Sequence, residues 1–390
     1  MVEPWLTFVG INEDGLAGLS EAARAALDAA EVVFGGPRHL ALAGVAGRAW
    51  PVPFDPLPVM DWRGRRVVVL ASGDPFWHGA GGSLLPHLAP DEWVSLPAPS
   101  TFQLVANRLG WRMEEVLCLG LHAAPFERLV PHLYRGARII ALLRDGQAPA
   151  ALAEWLVARG HGDSVMHVLE AVGGPGARLR SAVAGAFDLR GTEAPVAVAF
   201  VASGAGIPRS SGLPDDSFAH DGQITKAPIR AMTLAALAPS PGLHLWDVGA
   251  GSGSISMEFC LAGGRATAVE AKAPRVANIR ANAESFGIAH RMAVVEGEAP
   301  AALAGLPLPD VVFIGGGCNA GLLDHLWEVL PPGTRVVANA VTLETEALLI
   351  ARHADAGGTL MRVEVSVAGP LGPGRGWSPA RPVVQWSVLR

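Results

Sequence analysis

The run Leu245-Trp246-Asp247-Val248-Gly249-Ala250-Gly251-Ser252-Gly253-Ser254 restricts the fold of this chain more than any other stretch. It reads as a buried strand that ends in a glycine-rich turn and opens a helix. Gly249, Gly251 and Gly253 let the backbone turn sharply, and the amides that start the helix face whatever sits at the turn. Such turns lie at the carboxyl ends of strands in open α/β sheets, where ligands collect. About 20 residues further on, the apolar run Ala266 to Val269 ends at Glu270, placed to accept two ribose hydroxyls. The pattern predicts a nucleotide cofactor site.

Small departures select the cofactor. A dinucleotide turn wants a glycine three residues after its second, to admit a diphosphate. Here position 254 is Ser and the glycines alternate. S-adenosylmethionine has no phosphates and suits the alternating pattern better. Glu296-Gly297-Glu298-Ala299 follows a third apolar run, Met292 to Val295, where an acid can meet the adenine amino group. Pro309 to Gly317 reads as a fourth strand leaving the pocket. The four segments arrive in the order that a class I methyltransferase requires.

With 390 residues, half of them hydrophobic, two domains are expected. A net charge of −6 and the lack of any lysine or arginine block argue against nucleic acid as a partner. No apolar run approaches the ~20 residues that span a bilayer, and no leader-like segment opens the chain. A soluble, cytoplasmic protein without membrane partners is expected. Cys118, Cys260 and Cys318 are too far apart for a zinc motif, and the histidines lack metal-ligand spacing, so no metal is expected.

The first half alternates strand-like runs (Leu6 to Ile11, Val32 to Phe34, Arg66 to Ala71, Val116 to Leu119, Ala137 to Leu143, Ser164 to Leu169, Pro195 to Ala202) with helical patterns at Leu19 to Ala30 and Thr101 to Leu109. This predicts α/β architecture. The Gly, Ser and Pro cluster at 204–214 is the expected linker between a domain at 1–203 and one at 215–390. Ser72-Gly73-Asp74-Pro75 follows a buried strand, and Pro97 to Thr101 and Leu119 to His122 share its small-residue character. Together they could line a second cofactor cleft; alternatively, Asp74 caps a Pro-anchored turn.

Several of these segments carry a family resemblance. Val9-Gly10, Asp14-Gly15, Val33 to Leu40, Ser72 to Pro75, Pro99-Ser100 and Arg108 to Trp111 resemble the tetrapyrrole methylases of cobalamin biosynthesis, in particular the enzyme that methylates carbon 5 of the corrin precursor. Asp221 to Lys226, the Gly249 turn, Phe313 to Gly316 and Asn339 to Glu344 resemble its partner, which methylates carbon 15 and decarboxylates an acetate arm. The resemblance implies a two-lobed tetrapyrrole methylase fold followed by a Rossmann-like methyltransferase fold. It also implies two S-adenosylmethionine sites, a small-molecule tetrapyrrole substrate and a homo-oligomer.

By family pattern, one S-adenosylmethionine is held by Thr225, Gly249, Ala250, Gly251, Ser252, Gly253, Glu270, Glu298 and Ala299. The other is held by Ser72, Gly73, Asp74, Ser100, Thr101 and Leu121. Thr101 stands where many relatives carry serine, and Pro37 replaces a more usual polar residue.

A polycarboxylate substrate calls for cations at the clefts. Lysine occurs only at Lys226 and Lys272, which makes Lys226, beside Thr225, the first candidate for a substrate contact. Arg230, Arg38 and His39 are further substrate-binding candidates. Glu344 and Asn339 are candidates for the acid or hydrogen-bond donor in decarboxylation, or else a helix-capping pair. A nicotinamide-dependent oxidoreductase and a non-catalytic tetrapyrrole carrier are the competing readings.

Overall fold

The central strands of the first sheet are short and nearly continuous in buried, mostly apolar residues, the composition of strands covered on both faces. In the computed structural model, which describes residues 4–390, β1 (Leu6–Ile11), β2 (Val32–Gly35), β3 (Arg48–Ala49), β4 (Val67–Ser72) and β5 (Trp93–Leu96) pair in the order β3-β2-β4-β1-β5. All four pairings are parallel. Strand alternation divides the apolar residues between two cores. Val9, Ile11, Val68 and Leu70 face one, and Leu6, Phe8, Val67 and Val69 the other.

A second sheet follows, built from β6 (Val116–Gly120), β7 (Arg138–Leu143), β8 (Val165–Glu170), β9 (Arg178–Val183) and β10 (Val196–Val201) in the order β6-β7-β10-β8-β9. Only the β6–β7 pairing is parallel. Glu170, nearly buried at the end of β8, is met by Arg178 and Arg180 from β9.

The second half forms one seven-stranded sheet. Its strands are β11 (His244–Val248), β12 (Arg265–Glu270), β13 (Met292–Glu296), β14 (Val311–Ile314), β15 (Arg335–Ala340), β16 (Thr359–Val363) and β19 (Val383–Leu389), ordered β13-β12-β11-β14-β15-β19-β16. A separate hairpin joins β17 (Ser366–Leu371) to β18 (Gly374–Pro379). The first five strands are parallel and β19 runs against both of its neighbours. Strand order reverses between β11 and β14, which opens a crevice at their carboxyl ends, and the glycine turn leaves β11 at that crevice. Helices cover both faces. Ser254–Leu261 and Ala273–Ser285 pack on the core around Phe259, Ile279 and Phe313. Ala320–Val329 and Leu343–Ala356 pack on the core around Trp246, Leu323, Leu349 and Trp386.

The α/β class and every strand-like run named in the sequence correspond to observed elements. Contacts divide the chain between Ala205 and Gly206, with Glu127–Pro131 grouped with the second unit. The division falls inside the expected linker, but the linker's far end is not loose. Gly212 N and Leu213 N donate to the Glu258 carboxylate at 2.7 and 3.0 Å, and Leu213 is buried. No described helix is long and apolar enough to cross a membrane.

Candidate functional site

In the second unit the glycine turn folds as its sequence demands. Gly249, Gly251 and Gly253 have φ of 65°, 60° and 72°. The Val269 carbonyl accepts from both Gly249 N and Ala250 N, tying the turn to β12. Glu270 holds the next step, accepting from Gly251 N at 2.8 Å and from Lys272 N at 3.0 Å. Behind the turn Asp247 is fully buried; its Oδ2 accepts from Ser256 Oγ at 2.6 Å and Ser256 N at 3.2 Å. Asp247 Oδ1 and Ser252 Oγ are buried without partners among the described residues. Desolvation, with a smaller push from the Glu270 charge, raises the Asp247 carboxyl to about 6.

A cavity of about 870 Å³ opens over this turn. Thr225, Lys226, Gly249, Ala250, Gly251, Ser252 and Asn339 line it, so the structure brings together most of the residues singled out here by sequence. Glu270 stands one bond behind Gly251. Gly253 instead caps the helix that starts at Ser254, in the left-handed region. Glu298 is exposed beyond β13, and Ala299 packs on the core. Glu344 is exposed in the first turn of Leu343–Ala356, whose cap is Thr342, and does not reach the cavity wall.

Arg230 requires a correction. Its side chain has 0% exposure, pairs with Glu258 at 2.6 Å and Asp215 at 3.2 Å, and donates to the Thr225 and Leu213 carbonyls. A guanidinium so fully engaged is a structural tie and not a substrate contact. Lys226, by contrast, is well exposed, with Asp215 3.3 Å away. Two cations absent from the sequence reading line the cavity. Arg275 pairs with Asp221 at 2.8 Å, and Arg381 has no ion pair among the described residues. Arg381 precedes β19, an antiparallel strand that the α/β alternation gave no reason to expect.

The first unit has its own cavity, about 600 Å³, lined by Glu13, Arg38, His39, Ser72, Ser100 and Thr101, with Trp50, Phe54 and Trp77 as aromatic wall. Arg38 pairs with Glu13 and donates to Ser72 Oγ at 2.7 Å. His39 Nε2 lies 2.8 Å from Ser72 Oγ and 2.9 Å from Arg38 Nη2. Since guanidinium only donates, Nε2 accepts and the ring proton sits on Nδ1, which is buried without a partner among the described residues. Burial and the Arg38 charge push His39 down to about 4.

Gly73, Asp74 and Leu121 do not line this cavity. Gly73 has φ 56°, and a Cβ there would meet Ser100 Cα at 2.7 Å. Asp74 accepts from Phe76 N at 2.8 Å and so takes the turn-capping role left open by sequence. Leu121 is buried, its amide bonded to the Leu142 carbonyl. Ser100 is the N-cap of Thr101–Leu109, reciprocally bonded with Gln103.

Two family models match the chain: tetrapyrrole (corrin/porphyrin) methylases over residues 62–187, and the precorrin methyltransferase domain over residues 216–390. The precorrin-6Y C(5,15)-methyltransferase (decarboxylating) of a Sinorhizobium species is 46% identical over 99% of this chain and 97% of its own length. The chain belongs to this family. Its member from Mycobacterium tuberculosis (strain ATCC 25618 / H37Rv) is 41% identical over 98% of this chain and 99% of its own. The solved C-terminal domain of precorrin-6Y C5,15-methyltransferase from Rhodobacter capsulatus is 58% identical, covering 47% of this chain and 100% of that chain, with a TM-score of 0.47. Membership in a family of S-adenosylmethionine-dependent methyltransferases replaces the oxidoreductase and carrier readings.

Proposed function

We propose that the protein methylates carbons 5 and 15 of precorrin-6B and releases carbon dioxide from an acetate arm, giving precorrin-8 in cobalamin biosynthesis. In this reading the first unit serves carbon 5, and the second serves carbon 15 and the decarboxylation. The observation that carries it is the 46% identity, over 99% of the chain, to a protein named for both methylations and the decarboxylation. A separate cavity in each unit supports a division of labour.

The second cavity suits S-adenosylmethionine. Ser252 on its wall has a buried hydroxyl oxygen without a partner among the described residues, the Glu270 carboxylate is anchored at the turn, and Gly251 leaves its side open. Bound there, the cofactor supplies a methyl group activated on a sulfonium. Thr225, the Gly249 to Gly253 turn and Glu270 would hold it; Ser72, Ser100 and Thr101 would serve at the first cavity, and the count of two sites is part of the proposal.

The rest of each cavity supplies orientation. Lys226, Arg275 and Arg381 offer cations to a polycarboxylate, and Trp50, Phe54 and Trp77 offer flat apolar faces to a macrocycle. Orientation alone is worth an effective molarity of roughly 10⁵ M or more. The test is incubation of the full chain with S-adenosylmethionine and precorrin-6B, followed by mass spectrometry, with cofactor stoichiometry from equilibrium dialysis. Gain of two methyl groups, loss of carbon dioxide and two bound equivalents are expected. A product with unchanged carboxylate count, or a single equivalent, overturns the proposal.

A further inference from the structure

Asn339 and Gln385 are register partners in the antiparallel β15–β19 pair, so their side chains leave the sheet on one face. The helix Ala227–Leu237 brings Thr233 to the same point. Thr233 is fully buried and Gln385 nearly so. Thr233 Oγ1 donates its one proton to the Ile229 carbonyl at 2.8 Å, so toward the strands it can only accept. It accepts from Asn339 Nδ2 at 2.9 Å and from Gln385 Nε2 at 3.0 Å. The remaining amide proton of Gln385 goes to Asn339 Oδ1 at 2.9 Å.

This closed set of bonds decides which end of the Asn339 amide is nitrogen. Turned over, its amino group would face that of Gln385, donor against donor, and its oxygen would face a hydroxyl whose proton is already committed. One Asn339 N–H is left over. Asn339 lines the large cavity of the second unit, whereas Thr233 and Gln385 do not.

We propose that Thr233 and Gln385 are positioning residues that lock Asn339 as a hydrogen-bond donor to a carboxylate oxygen of the substrate in this cavity. The inference rests on the tetrapyrrole reading above. A locked donor selects for acceptors, and Lys226, Arg275 and Arg381 around the same cavity select for anions. An amide does not give up its proton, so Asn339 orients the substrate and is not the acid of the decarboxylation.

The test compares the full chain with Asn339→Ala, Gln385→Met, Thr233→Val and Thr233→Ser, together with the Asn339→Ala/Gln385→Met pair. KM for precorrin-6B, kcat for carbon dioxide release, cofactor Kd and thermal midpoint are measured for each. Losing a hydrogen bond to a charged acceptor is expected to raise KM about tenfold or more in Asn339→Ala. Gln385→Met and Thr233→Val are expected to raise KM without weakening cofactor binding, and the double variant to be no worse than Asn339→Ala alone. Thr233→Ser, which keeps the hydroxyl, is expected to recover the native KM.

Additive effects on KM, or a lowered thermal midpoint with native KM, overturn the positioning role. A parallel loss of cofactor affinity overturns it as well, by moving the donor onto the cofactor. A native chain that releases no carbon dioxide overturns the tetrapyrrole reading itself, and the inference with it.

Discussion

A Cβ at Gly249 would meet the Gly316 carbonyl oxygen at 2.4 Å, whereas one at Gly251 would meet nothing nearer than the Gln223 carbonyl oxygen at 3.6 Å. Gly249 therefore answers to the fold and Gly251 to the cavity. Gly251→Ala is expected to lose about 1–2 kcal/mol to its left-handed backbone, remain folded, and lose cofactor binding in the second unit. Gly249→Ala is expected to lose the folded second unit. Circular dichroism and equilibrium dialysis separate the two; unchanged stoichiometry in folded Gly251→Ala contradicts the assignment.

Asp247 gives a pH signature. An acid whose native pKa, about 6, lies above its value in the unfolded chain keeps its proton longer when folded, so its contribution to stability is lost as pH rises from about 4 to about 6. The loss is about 3 kcal/mol. Asp247→Asn lacks that loss. Its unfolding free energy, from denaturant titrations, is expected to gain on that of the native chain across this window, and a flat difference contradicts the burial argument. His39, a base held down to about 4, works in the opposite sense in the first unit, favouring the native state more as pH rises through about 4 to 6.5.

The glycine turn and Glu270 were readable because backbone freedom and an acid at fixed spacing leave a local trace. Arg230 was misread, although a trace existed. Arg230, Thr233, Leu234 and Leu237 are the buried residues of their helix, at i, i+3, i+4 and i+7, which is the spacing of an inward face.

Among the elements, the segment from Gly212 to Lys226 carries a testable consequence. Glu258, nearly buried, accepts from Gly212 N, Leu213 N and Arg230 Nε, and Arg230 in turn holds the Leu213 and Thr225 carbonyls. A chain of residues 206–390 keeps this network; one of residues 215–390 removes two of the donors to a buried carboxylate. The shorter chain is expected to be less stable by about 2–5 kcal/mol in denaturant unfolding. Equal stabilities contradict the role given to the segment.

Parallel strands such as β2, β4 and β14 were readable as apolar runs. The β17–β18 hairpin was not, because its sequence, with Pro370, Gly372, Pro373, Gly374 and Pro379, breaks the alternation, and most of its residues are exposed. Arg381 followed it out of view.

At the scale of the whole molecule, the account holds that two unrelated α/β units each carry a methyl-transfer site on one polycarboxylate substrate. Continuous likeness to a fused family over 99% of the chain supports the pairing, and each cavity draws its lining from a single unit. The pairing was readable because each half carries its own turn chemistry. The cavity walls were not, since Trp50 and Arg381 reach their sites through topology rather than through any local pattern.

Thr101→Trp, which sets a large ring on the wall of the first cavity, and Gly251→Ala, which sets a methyl group on the wall of the second where the cofactor would lie, divide the reaction. The most direct measurement is mass spectrometry and carbon dioxide release from precorrin-6B with each full-length variant alone and with the two mixed. Neither variant alone is expected to yield the doubly methylated, decarboxylated product, and the mixture is expected to restore it. Carbon dioxide release that persists in Gly251→Ala, or a mixture that stays inactive while both variants are folded, contradicts the account.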